Sequence, residues 1–273
     1  MTGSYRGAVV AYGTRHGKER QAAGPFAEVL GARVVAPPDL DTDRFGTFSG
    51  EVPRTLAPLD AARAKARLAL DATGAEFALA SEASYGPLGA LGLPGHEELL
   101  LFVDARRGFE VVERSVTLGS PGEVRRVRDA AELEPPAPGE AYVVRPDGRP
   151  GPIVKGVAGM GELSAAVAAA AALSASGVAV VEPDLRAMHN PPRQAVLADL
   201  SRRLAERLAR LCPACAGPGW GVDAVEPGLP CAVCALPTDE PGVEHWSCPG
   251  CSCAERRPRP GTADPHWCPG CNP

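Results

Sequence analysis

Aromatic residues make up only 5% of the 273-residue chain, so the core must be built mostly from Ala, Val and Leu. Positive charge is not in excess either. The formal net charge is −5, and such a balance argues against gripping nucleic acid through its phosphates, which takes Lys and Arg clustered on one face. No repeat period and no long low-complexity tract is present, so the 31 Gly and 29 Pro belong to turns rather than to a solenoid or a collagen-like rod. Between Met1 and Val10 no charged segment precedes a long apolar run, so no secretory leader is read and the cytoplasm is the expected compartment. The uncharged stretch from Leu163 to Val181 covers 19 residues, but alanine dominates it and Ser164, Ser174, Ser176 and Gly177 interrupt it. It reads as a helix, a glycine stop and a buried strand, and no membrane partner is expected.

What is present suffices for one core and a smaller appended module, since 45% of the chain is hydrophobic. The expected fold is α/β, a mixed sheet flanked by helices over residues 1–211, followed by a small Cys-rich, tandem zinc-ribbon-like module over 212–273. Gly7 to Tyr12 reads as a buried first strand, Lys18 to Leu30 as a helix stopped by Gly31, and Arg33 to Ala36 as a second strand closed by Pro37-Pro38. Leu59 to Thr73 reads as a helix, and Glu76 to Ala80 as a third strand with Glu82 at its C-terminal end. Two hairpins follow, Glu98–Asp104 with Phe109–Leu118, and Ala141–Arg145 with Pro152–Lys155 around the turn Pro146-Asp147-Gly148-Arg149. A helix from Gly161 to Ala175, a strand from Val178 to Glu182 and a last helix ending at Leu211 complete the domain.

The loop Thr14-Arg15-His16-Gly17-Lys18 puts cations between a strand and a helix start, where backbone N–H groups and the helix dipole favour anionic oxygens. An ordinary polar connection fits the same residues, because no Walker-type glycine string accompanies them. Residues 37–56 are too rich in Pro, Gly, Asp and Thr for regular structure, and Asp41, Asp43 and Glu51 within them are candidate oxygen ligands for magnesium or else solvated loop charges. Lys65, on the second helix, and Glu82, at a strand end, complete a set that can clamp a phosphate chain.

The tail carries Cys212-Pro-Ala-Cys215, Cys231-Ala-Val-Cys234, Cys248-Pro-Gly-Cys251 and Cys268-Pro-Gly-Cys271. Gaps of 15 and 16 residues separate the first two and the last two pairs, the spacing of four-cysteine zinc sites. Each C-x-x-C turn presents two thiolates, and two turns close a tetrahedron. Two structural zinc ions are expected, the chain's nine cysteines being odd in number and ill-suited to a disulfide framework. Sequential pairing is the preferred arrangement; nested and crossed pairings stay open, as does exchange of Cys253, His245 or His266 into the last site. The segment from Pro213 onward has seven acidic residues against Arg256, Arg257 and Arg259, so nucleic acid is disfavoured there and a protein partner is the expected use of its surface.

The strings Thr14 to Glu19, Asp41-Thr42-Asp43-Arg44-Phe45-Gly46-Thr47-Phe48-Ser49-Gly50-Glu51, Glu182 to Pro191 and Cys271-Asn272-Pro273 resemble an uncharacterised bacterial family with an α/β domain and a multi-cysteine tail. Residues 7–95 also resemble the inosine triphosphate pyrophosphatase superfamily. The likeness rests on Thr14-Arg15-His16-Gly17-Lys18, with His16 where that family has Asn, on Gly50-Glu51 and Lys65-Ala66, and on Ser81-Glu82-Ala83-Ser84 followed by Ala90-Leu91-Gly92-Leu93-Pro94-Gly95. His189 and Arg193 stand where a base-contacting motif would precede the last helix. This second resemblance implies Lys18 on phosphate, Glu51 and Glu82 holding magnesium or activating water, and Lys65 stabilising the charge that develops as a phosphate bond breaks. Ser81 replaces one of the usual acidic pair. Two functions follow as expectations: magnesium-dependent hydrolysis of nucleoside triphosphates, or, with the acidic partner lost, a non-catalytic zinc-ribbon protein that binds a nucleotide or a protein.

Overall fold

The computed structural model describes residues 4–47, 50–88, 92–148 and 151–272. Phe48 and Ser49 of the acidic-loop string, Ala90 and Leu91 of the run to Gly95, Arg149 of the expected turn and the closing Pro273 lie outside them.

Residues 4–211 form two sheets. The first has the order β2-β1-β3-β4-β5, built from β1 (Val9–Tyr12), β2 (Arg33–Val35), β3 (Phe77–Leu88), β4 (Leu93–Asp104) and β5 (Phe109–Leu118). It is mixed: β1 is parallel to β2 and β3, whereas β3, β4 and β5 run antiparallel. Helices α1 (Glu19–Leu30) and α4 (Pro191–Ala209) cover one face, packing Phe26, Leu30, Leu200, Leu204 and Leu208 on Val10, Tyr12, Leu100 and Phe102. Helix α2 (Pro58–Thr73) covers the other, with Ala62 and Ala66 on Ala78, Ala80, Leu99 and Leu101. Alanine at these α2 positions, with almost no side chain to keep it apart, lets the helix lie close on the sheet. Gly31 ends α1 with φ 65° and Gly74 ends α2 with φ 66°, the left-handed conformation that costs glycine least.

The second sheet has the order β6-β9-β7-β8, from β6 (Arg125–Val127), β7 (Tyr142–Pro146), β8 (Val154–Val157) and β9 (Ala179–Pro183). Its ladders are antiparallel, and α3 (Met160–Leu173) packs Leu163, Val167 and Ala170 on Val127, Val144, Val157 and Val181. The uncharged stretch is therefore most of α3, a turn and the start of the central strand β9, and no helix among the described residues is long and apolar enough to cross a membrane. A third, three-stranded sheet carries the cysteines: β10 (Gly221–Pro227), β11 (Pro241–Ser247) and β12 (Ala254–Pro258).

Glu82 does not end a strand, as the short apolar run Glu76 to Ala80 suggested. β3 continues to Leu88 because β4 pairs along its whole length, from Phe77↔Asp104 to Leu88↔Leu93. A polar stretch that alternates faces on a hairpin is as extended as an apolar one, and hydrophobicity alone does not reveal it.

Candidate functional site

β1 stops at Tyr12, opposite Leu79, but β3 runs on. The edge of β3 that β1 had covered then presents carbonyls with no strand beside them, and carbonyls removed from water need donors. Side chains take over the ladder. Gly13 N donates to Leu79 O at 2.7 Å, Lys18 Nζ to Ser81 O at 3.1 Å, and Arg54 Nη2 to Ala83 O at 2.7 Å. Gly13 also permits the approach of α2, since a Cβ there would lie 2.4 Å from Lys65 O. That approach brings Lys65 onto Glu82, with which it forms an ion pair. Arg54 Nη2 lies 3.5 Å from the same carboxylate.

These groups form one wall of a cleft enclosing about 180 Å³. The opposite wall comes from the second sheet and the loop after β9: Lys155, Glu182, Asp184 and Arg186, with Arg193 entering from the start of α4. Six Lys and Arg side chains line it against four carboxylates. Nearly every cation already has a counterion. Lys65 and Arg54 share Glu82, Lys155 pairs with Glu51, Arg186 with Asp184, and Arg193 with Glu98 through Nε–Oε2 at 2.6 Å and Nη2–Oε1 at 3.1 Å.

Lys18 is the exception. It is buried, and its ammonium is held only by the carbonyl and the hydroxyl of Ser81, at 3.1 and 3.0 Å; among the described residues it has no carboxylate partner. Burial, and after it the nearby Arg193 guanidinium, pull its amine down to about 7 against the opposing pull of Glu98 and Glu82. Glu98 responds the other way. Burial raises it, but the ion pair with Arg193 and a hydrogen bond from His96 outweigh that and hold the carboxyl at about 2.

The cysteines make two clusters, Cys212, Cys215, Cys248 and Cys251 in one, and Cys231, Cys234, Cys268 and Cys271 in the other, each with its sulfurs within 4.8 Å of one another. Sequential pairing is thus corrected to crossed pairing, and the strands explain it. β10 leads away from the first C-x-x-C to the second, β11 returns to the third beside the first, and β12 goes back to bring the fourth beside the second. The closest sulfur pairs are 3.5 to 3.9 Å apart. A disulfide is about 2.05 Å, whereas a tetrahedron with metal–sulfur bonds of about 2.3 Å has edges of about 3.8 Å, so the geometry fits a metal ion in each cluster. Cys253 packs against the apolar cluster of Cys212, Trp220 and Cys248 but belongs to neither metal-ligating group, His245 Nε2 binds Glu226 at 2.7 Å, and His266 stacks edge-on to Trp267. Arg207 and Arg210 of the α4 end bind the carbonyls of Gly219 and Trp220 at 3.3 and 3.2 Å, docking the first cluster on the core.

A family model described as Domain of unknown function (DUF6671) matches residues 65–273. The chain belongs to the DUF6671 family. No curated protein matches the chain. The DUF6671 segment holds Lys65, Glu82, Glu98, Lys155, Arg193 and every cysteine, while the loop with Lys18 precedes it.

Of the residues singled out in the sequence of this DUF6671 member, His16, Lys18, Asp43, Lys65, Glu82 and Arg193 line the one cleft. Thr14, Arg15 and Asp41 line an adjoining groove, and His189 a third. Glu51 does not line the cleft but pairs with Lys155, which does. Arg193 spends donors on Glu98 and on Leu185 O at 2.9 Å, so it braces the cleft from behind. The three carboxylates offered for magnesium do not converge: Arg15 lies within 4 Å of Asp41 and Asp43, His16 binds Asp43 at 3.0 Å, and Glu51 takes Lys155. Among the described residues the two cysteine clusters are the only groups of three or more metal-ligating side chains, so the cleft residues do not fit a magnesium ion held by the protein alone. Arg54, Lys155, Arg186 and Glu98 were not anticipated. A compositional signal pointed to Lys155: of 28 Lys and Arg residues only Lys18, Lys65 and Lys155 are lysines, and all three line the cleft.

Proposed function

We propose that the cleft binds a small anionic ligand, of the phosphate-bearing class that includes nucleotides, and that the cysteine module is a structural appendage held by two zinc ions. Lys18 carries this reading. A cation taken out of water without a counterion is costly, and an anion entering the cleft supplies the missing partner. At about 180 Å³ the cavity is below the roughly 300–1,000 Å³ of sites for drug-sized ligands, so it suits a small anion or the anionic head of a larger molecule. Four thiolates fill each zinc position and leave none open for a catalytic water. The module's basic residues are neutralised, Arg256 by Glu226, Arg257 by Glu255 and Arg259 by Glu244, which speaks against nucleic acid.

Hydrolysis of nucleoside triphosphates is the second reading, favoured by Lys65 and Glu82 lining the cleft with Lys18. It requires Glu82 to leave two cations before acting as a base, and requires magnesium to arrive with the phosphates. Calorimetry with tripolyphosphate and a nucleotide panel, alongside pyrophosphate release in magnesium, separates the readings. Binding weakened at least about tenfold (1.4 kcal/mol) by Lys18→Met, without turnover, is the expected result. Turnover abolished by Glu82→Gln would establish the hydrolase, and binding of none of these anions would overturn both.

A further inference from the structure

Arginine serves nearly every cationic position of this chain, and the three exceptions share one cleft. Arginine binds carboxylate and phosphate at least as well as lysine; what it does not do is give up its proton and act as an amine. Lys65 and Lys155 are each held in an ion pair, with Glu82 and Glu51. Lys18 alone rests on neutral oxygens, those of Ser81. A carboxylate at position 81 would hold Lys18 as ammonium; the hydroxyl does not.

We propose that Lys18 is a reactive amine that condenses with the carbonyl group of a small anionic ligand, of the oxo-acid or phosphorylated-aldehyde class, to form an imine. This rests on the reading of the cleft as an anion site. In the step, the lone pair of the neutral Lys18 Nζ forms a bond to the carbonyl carbon, the carbonyl π pair moves to oxygen, and the nitrogen's surplus proton passes to that oxygen, with Ser81 Oγ, 3.0 Å from Nζ, in position to relay it. The resulting carbinolamine loses its hydroxyl with one further proton as water, leaving C=N. Amine and carbonyl give imine and water, and nothing is oxidised or reduced. The neutral form is available near neutrality because Arg193 of α4 and Lys65 of α2 face the amine and burial disfavours its charge, with Glu98 of β4 and Glu82 of β3 opposing them.

The test is trapping. The full chain is incubated with glyoxylate and cyanoborohydride, and with propanal as an uncharged control, and the three lysines are read separately by mass spectrometry. Lys18 is expected to be labelled at least about tenfold faster than Lys65 or Lys155, with a rate, at reagent concentrations too low to fill the cleft, that rises with pH around a midpoint of about 7. Lys18→Arg removes that label, and Ser81→Asp, which restores a counterion, slows it at least about tenfold; if the buried carboxylate prevents folding, the arginine variant and the pH profile decide. Equal labelling of Lys18 by both reagents keeps the amine and removes the anion selectivity on which the preceding reading stands. Labelling of Lys18 no faster than Lys155 with either reagent overturns the inference, while tripolyphosphate binding still judges the anion site by itself.

Discussion

Replacing Cys212, Cys215, Cys248 and Cys251 together by serine is expected to leave one zinc ion per chain, bound by four thiolates. The result follows from the crossed arrangement, in which those four residues are one complete site and Cys231, Cys234, Cys268 and Cys271 are the other. Sequential pairing would leave two thiolates at each site and almost no retained metal. The effect on the fold is large, because binding of a structural zinc is worth about 10–16 kcal/mol and the module has little else to hold it. Among the described residues its apolar cluster is Cys212, Trp220 and Cys248 with Trp246 and Cys253 packed against it, and small modules bury too little surface to fold on that alone. Stripping both ions with a chelator is therefore expected to unfold residues 212–272 while the two sheets of the core keep their circular dichroism. Elemental analysis of the quadruple variant reads the pairing, and proteolysis of the stripped protein, with cuts confined to the tail, reads the unfolding.

Glu98→Gln is expected to destabilise the core by roughly 3–5 kcal/mol, the cost of leaving a buried charge without its partner. Glu98 and Arg193 are almost wholly buried, joined by two hydrogen bonds, with His96 Nε2 3.0 Å from the same carboxylate. The double variant Glu98→Gln with Arg193→Met should recover much of the loss, because a buried pair replaced on both sides by uncharged groups is often neutral. Denaturant melts of the four proteins at pH 7 close this cycle. A single-variant loss under about 1 kcal/mol would mean the pair is wetter than its burial indicates. The pair ties β4 to the start of α4 and so fixes the wall behind Lys18.

How much of this was legible beforehand depended on whether local pattern or distant pairing decided each feature. The helices and both hairpins were visible in periodicity and turn residues such as Gly31, Gly74 and Pro146-Asp147-Gly148. The length of β3 was not, because its polar half from Ser81 onward is extended only through β4. The C-x-x-C spacing announced two metal sites but not their pairing, which the path of β10, β11 and β12 sets. The cleft was legible in part: Lys18, Lys65 and Glu82 were found as a set, whereas no local motif marked Arg54 or Lys155. Their role comes from where β1 stops and from a second sheet closing over the first, and neither is written in local sequence.

The central claim is that Lys18 is a buried amine lacking the counterion that a ligand provides. Its amine lies at about 7 in the free protein, and an anion beside it favours the ammonium form, so binding must raise that value and take up a proton near neutrality; affinity falls as pH rises above 7. Calorimetry of tripolyphosphate binding at pH 7, in two buffers of different ionisation enthalpy, measures the uptake, and the difference from Lys18→Met removes the ligand's own protons. About half a proton, taken up by the wild type and missing from the variant, is the predicted result. An equal proton count in the two proteins would contradict it.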